Sequence, residues 1–182
     1  AVETVSYDPE GAKKLLEESG WKDTDGDGYA DKDGQKLTID WLTYPTRLEQ
    51  PKLAEYAQAT LKEIGIDVVV NNTSDHMTYA ADGNFDVYVS STTTAPTGDP
   101  EYFFTSTVVG PKNYGKYENK EVTALTEKLH QAFEPEERAK LATELQQKIL
   151  DDDGFFFVSH LNMGIVTKSN VKGMAAHPCD YY

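Results

Sequence analysis

The sharpest chemical pattern in this chain is a short run of carboxylates. Asp23, Asp25 and Asp27 alternate with other residues and run into Gly28, with Asp31 and Asp33 close behind. Oxygens at every second position can wrap a hard cation while a glycine permits the sharp bend, which is how the first half of an EF-hand loop works. The second half departs from that pattern. Its twelfth position, where a bidentate Glu would complete the shell, is Gly34, and the loop leads directly into a strand pattern instead of a helix. A weak structural calcium site on Asp23, Asp25, Asp27, Asp31 and Asp33 and a plain surface turn both fit these residues, because Asp and Gly are also turn formers.

Other ligand and catalytic patterns are thin. His76, His130, His160 and His177 show no paired metal-ligand spacing, and singly placed histidines are more often surface or satisfied core residues. Cys179, two residues after His177, offers at most half of a transition-metal site. There is no nucleophile elbow, phosphate-binding glycine loop, dinucleotide fingerprint or zinc-binding helical histidine pair. No carboxylate pair stands in an apolar context that would raise its pKa. The residues therefore describe no enzyme, and no motif requires a cofactor.

Arg47 is different in kind. It follows Tyr44 and Thr46 in a short loop, where its planar five-donor fork could hold a carboxylate; a solvated arginine at a helix start also fits. What singles the loop out is the element before it. Leu37, Ile39 and Trp41 alternate with polar residues as a strand ending near Tyr44, and Pro51 opens an amphipathic helix whose inner face is Leu53, Ala54, Ala57, Leu61 and Ile64. Gly65 ends that helix and Ile66, Val68, Val69 and Val70 supply a mostly buried second strand. The result is a right-handed β-α-β unit, and in open parallel sheets ligands bind beyond the carboxyl ends of the strands.

The rest of the chain hangs on that unit. Asp8-Pro9 starts a helix that Gly20 ends, residues 74–81 form a short helix, and residues 85–91 alternate as a third strand running into a hydroxyl-rich loop. Asp99-Pro100 caps a short helix through Phe104. Asn119 caps a helix facing inward with Val122, Leu125, Leu129 and Phe133, and Pro135 starts another with Ala139, Leu141, Ala142, Leu145 and Ile149 inward. Residues 155–158 and 164–166 read as a final strand or strand pair. The fold class is α/β, a mostly parallel sheet flanked by helices.

Composition narrows the partners. With 31 acidic and 17 basic residues the formal charge is −14, which argues against nucleic acid and anionic membrane, since both want positive surface. One cysteine makes no internal disulfide and leaves the redox compartment open. No apolar run is long enough to span a bilayer.

Several phrases together resemble the family-five extracellular solute-binding proteins, the oligopeptide, dipeptide and nickel receptors of ABC importers. They are YDPEGAKKLLEESGWKDTDGDGYADKDGQKLTIDWLTYP from Tyr7, RLEQPKLAEYAQATLKEIGIDVVV, FDVYVSS, APTGDPEYFF, ERAKL and NVKGMAAHPCDYY. The resemblance implies a type II periplasmic-binding-protein lobe. Residues 1–168 would be the second lobe of a two-lobed clamp, and residues 169–182 a segment returning toward the first; that N-terminal lobe, a signal peptide and an anchor would lie on sequence outside this chain. It implies a periplasmic or lipid-anchored cell-surface location and delivery of ligand to a membrane permease. Peptide-binding relatives place an amine-holding aspartate where this chain has Pro96, and often a tryptophan where it has Thr93, while Arg47 suits the carboxylates of a metal chelate. The expected ligand contacts are Tyr44, Thr46, Arg47, Ser91, Thr93, Thr94 and Thr97. A nickel or other metal chelate is the first ligand class, a di- or oligopeptide the second, and a calcium-stabilised surface interaction module the reading of another class.

Overall fold

The structure, a computed structural model, describes residues 2–93, 95, 97–159 and 164–175. The chain divides into two compact units, one made of Val5–Ser91 and the other of Ala1–Thr4 with Thr92–Tyr182. Among the described residues no helix is long and apolar enough to cross a membrane.

In the first unit, α1 (Pro9–Glu18) begins as expected, with Asp8 accepting the Gly11 N–H at 2.9 Å and proline at the first position. The acidic loop does not lead straight into the long strand. Strands β1 (Asp31–Lys32) and β2 (Gln35–Lys36) form an antiparallel hairpin between them. Its turn residues Asp33 and Gly34 have φ of 55° and 76°, the positive values that let a two-residue turn follow the strand twist. Strand β3 (Thr38–Thr43), helix α2 (Glu49–Lys62) and strand β4 (Asp67–Asn72) then form the β-α-β unit, in parallel register from Thr38 opposite Asp67 to Thr43 opposite Asn72. Gly65 sits at φ 85° and its carbonyl accepts the Ala30 N–H at 2.7 Å. Val68 is buried but Val69 is 49% exposed, so β4 is covered on one face only, not buried throughout.

Helix α3 (His76–Asp82) ends at Gly83 in the left-handed conformation. The third strand is shorter than its alternation suggests: β5 (Val87–Tyr88) pairs in parallel with Trp41 and Leu42, and single bonds from Asp86 N–H to the Asp40 carbonyl and Val89 N–H to the Leu42 carbonyl extend it. The strand order β4-β3-β5 puts β3 in the middle.

In the second unit, α4 (Glu101–Phe103) does not stop at Phe104 but widens into a π-helical turn, Phe104–Val108. The hydroxyls of Thr105 and Ser106 donate to the Glu101 and Tyr102 carbonyls at 3.0 and 2.6 Å, a back-bonding that competes with the regular ladder. Helix α5 (Lys120–Gln131) starts at Asn119, whose side-chain oxygen accepts the Glu121 and Val122 N–H groups. Helix α6 (Pro135–Asp151) packs on it, and Phe104, Val108, Val122, Leu125, Leu129, Ala142, Leu145 and Ile149 make the core. Phe133 is 87% exposed because α5 has already ended at Gln131, and Ala139 is also exposed.

No strand forms at residues 155–158 or 164–166. Phe155 packs edge-on against Phe103 and Tyr117 at 5.9 and 5.7 Å, and Phe157 against Phe103 at 5.6 Å, so this aromatic run covers α4 instead of entering a sheet. His160, His177 and Cys179 lie outside the described residues.

Candidate ligand site at the carboxyl edge of the sheet

Because β3, β4 and β5 are parallel, their carboxyl ends share one edge. Tyr44 follows β3, His76 opens the helix after β4, and Ser91 lies three residues beyond β5. These residues meet. The Tyr44 ring stacks on His76 with centroids 4.1 Å apart and 21° between planes, and its hydroxyl accepts the Ser91 N–H at 3.0 Å. His76 Nδ1 lies 2.7 Å from the Tyr88 hydroxyl. Burial pushes the His76 imidazole below its ordinary pKa of 6.5, with the Asp75 charge opposing, so the ring is neutral at pH 7.

The crossover brings the start of α2 back over the end of β3. Gln50, buried in its first turn, donates from Nε2 to the Ser91 hydroxyl at 3.0 Å. The helix begins at Glu49, two residues earlier than Pro51; a proline in the first turn removes only an N–H with no intrahelical partner. Arg47 is half-buried and Thr46 exposed in the intervening loop, where the Arg47 carbonyl accepts the Gln50 N–H at 3.2 Å. Three oxygens in this region, Thr43 Oγ1, Glu49 Oε1 and Gln50 Oε1, are buried without a hydrogen-bond partner. A separate cleft of about 540 Å³ opens on a face of the sheet between Asp40, Leu42, Asn71, Tyr79 and Phe85, and none of the expected ligand residues lines it.

In the second unit, Thr93 is half-buried and Thr97 exposed, and Thr94 lies outside the described residues. The acidic loop is brought together only in part. Carboxylate oxygens of Asp23, Asp25 and Asp27 lie within 4.8 Å of one another, all exposed. Asp31 stands apart from that group: it accepts the Thr24 hydroxyl at 2.6 Å and N–H at 2.8 Å, bonds that hold its carboxyl below the ordinary range. Asp33 is a turn residue of the hairpin.

Gln50, His76 and Tyr88 carry no motif. The rule that singles out Arg47, position just past a strand's carboxyl end, also applies to His76, because β4 leads to it within four residues.

Residues 1–115 match the bacterial extracellular solute-binding proteins, family 5, middle region. The chain belongs to this family. It is 28% identical over 182 residues to the oligopeptide-binding protein AppA of Bacillus subtilis, covering 97% of this chain and 34% of AppA. It is 36% identical over 102 residues to the nickel-binding periplasmic protein of Escherichia coli, covering 55% of this chain and 19% of that protein. The structure of B. subtilis AppA in complex with a nonapeptide superposes with a TM-score of 0.71 at 28% identity, over 84% of this chain and 32% of that one. A nickel ABC transporter structure from Bacillus halodurans gives 0.69 at 26% identity, over 84% and 32%. The chain thus spans about a third or less of these relatives' length. Family 5 proteins are solute-binding components of transport systems, extracellular or periplasmic, and the fold here is that of periplasmic binding proteins.

Proposed function

We propose that this chain is a ligand-binding lobe of an ABC-importer receptor, and that the receptor captures a metal chelate for a membrane permease. The observation that carries the reading is the convergence of Tyr44, His76, Tyr88, Ser91 and Gln50 on the carboxyl edge of the sheet, beside the loop that bears Arg47. An aromatic wall with a neutral imidazole and fixed hydroxyls gives a ligand surface and orientation without a compensating negative charge. Arg47 supplies the fork for a chelator carboxylate, and Thr46, Ser91, Thr93, Thr94 and Thr97 supply hydroxyl contacts. Residues 1–168 would act as one lobe, with residues 169–182 returning toward a first lobe that closes over the ligand in the periplasm or at a lipid-anchored cell surface.

A second ligand class, the di- or oligopeptide, is favoured by the similarity to AppA along 97% of the chain. Pro96 in place of an amine-holding aspartate supports the chelate. The Asp23, Asp25 and Asp27 carboxylates support a structural calcium ion held away from the ligand.

Calorimetry on the complete receptor with nickel(II) bis-histidine tests both ligand and residue. Arg47→Ala should weaken binding by about tenfold or more, the worth of a charge-assisted pair. Unchanged affinity would refute the role of Arg47, and no binding by the unaltered receptor would refute the chelate.

A further inference from the structure

The carboxyl end of the hydroxyl-rich loop is held by one side chain. Arg138, in the first turn of α6, uses all five of its guanidinium N–H groups. Nε donates to Asp99 Oδ2 at 2.9 Å and Nη2 to Asp99 Oδ1 at 2.8 Å, with Nη2 also 2.7 Å from Oδ2, so both carboxylate oxygens are engaged. Nη2 also donates to Glu101 Oε2 at 2.6 Å. Nη1 donates to the Leu129 and Ala132 carbonyls at 2.8 and 2.6 Å, which belong to the last turn of α5 and the residue just beyond it.

The arrangement has a direction. The acceptors behind the guanidinium are the negative end of a helix that shares the core with α6, which anchors them. The acceptors in front are Asp99 and Glu101, which follow the loop directly. Asp99 is fixed a second time by accepting the Glu101 N–H at 2.9 Å, and Glu101 a second time by His130 Nδ1 at 2.6 Å. Immediately before Asp99, Gly98 has φ 77° and its N–H closes a turn onto the Ala95 carbonyl at 2.8 Å. The guanidinium therefore holds the residues onto which this turn opens, Asp99 and Glu101. A lysine has the charge but only three donors at a single point, so it cannot satisfy two carboxylates and two carbonyls in one plane.

We propose that Arg138 is the positioning residue of the ligand loop: it touches no ligand, and it aims the Thr93 and Thr97 hydroxyls by clamping Asp99 and Glu101 to the end of α5. This rests on the reading that residues 91–97 contact the solute. In relation to that reading it adds a residue that acts on the solute through the loop and not by contact.

The test uses the complete receptor and Arg138→Lys, which keeps the charge. Three quantities are measured: exchange of the Gly98 and Glu101 amides, dissociation of nickel(II) bis-histidine, and Tm. The expected result is exchange at those two amides and dissociation each faster by about tenfold, with amides of the α5 and α6 core unchanged. Asp99→Asn, which keeps the Glu101 cap and loses the ion pair, should reproduce the pattern. Unchanged exchange at Gly98 and Glu101 overturns the proposal, as does acceleration spread evenly over α5 and α6, which marks a merely structural role. Local acceleration with unaltered dissociation overturns it as well. Failure of the unaltered receptor to bind this probe instead counts against the chelate reading; the same exchange comparison then decides the clamp, and dissociation of a nonapeptide decides the aiming.

Discussion

Tyr44 and His76 are held by contacts of three kinds, a ring stack, a phenol-imidazole bond and a backbone N–H on a phenol oxygen. Such over-determination suits a surface that must present one geometry to a ligand. It also creates a pH dependence. Burial holds the folded His76 below 6.5, so the unfolded chain takes up the proton first as pH falls. The stabilising contribution is full above about pH 6.5 and is lost as pH drops from there toward the folded pKa. His76→Gln should therefore flatten the decline of Tm between about pH 7 and pH 5. Parallel Tm profiles for the two proteins would contradict the assignment. The place of Tyr44 and Arg47 just past a strand's carboxyl end was legible because it depends on the order of elements alone. Gln50 and Tyr88 were not, because a buried amide and a strand tyrosine look like ordinary core until tertiary packing brings them to Ser91 and His76.

Among the elements, those with local punctuation were legible: the caps at Asp8 and Asn119, the glycine stops at Gly20 and Gly65, and the β-α-β order. Those that depend on a neighbour were not. The continuous apolar run at residues 155–158 asks only for an apolar partner, and the aromatic edges of Phe103 satisfy that as well as a sheet does. The hairpin at Asp33-Gly34 was hidden inside the acidic run, and Asp31 and Asp33 stand outside the cluster that Asp23, Asp25 and Asp27 form. What is left is a loop already curled by its own carboxylates: Asp23 accepts the Gly26 and Gly28 N–H groups at 2.7 and 3.0 Å, Asp25 that of Asp27, and Asp27 that of Tyr29. Neutralising three adjacent charges with calcium should stabilise that curl. Adding EDTA should lower Tm, and Asp25→Asn should abolish the difference between calcium and EDTA. A Tm indifferent to both would leave the loop as a turn.

At the scale of the whole molecule, the chain belongs to a solute-binding family, and the polar and aromatic contacts of its first unit gather at the carboxyl ends of the strands. A charge of −14 argues against a nucleic-acid partner. The choice between chelate and peptide turns on few groups, Arg47, the neutral His76 and Pro96, and relatives of both kinds share this fold. The direct test is native mass spectrometry of the complete receptor, purified without added metal or peptide, to weigh what stays bound. The account predicts one discrete adduct with the isotope pattern of nickel or another transition metal, lost on exchange into strong chelator. A ladder of peptide masses would contradict it and transfer the site to oligopeptide uptake.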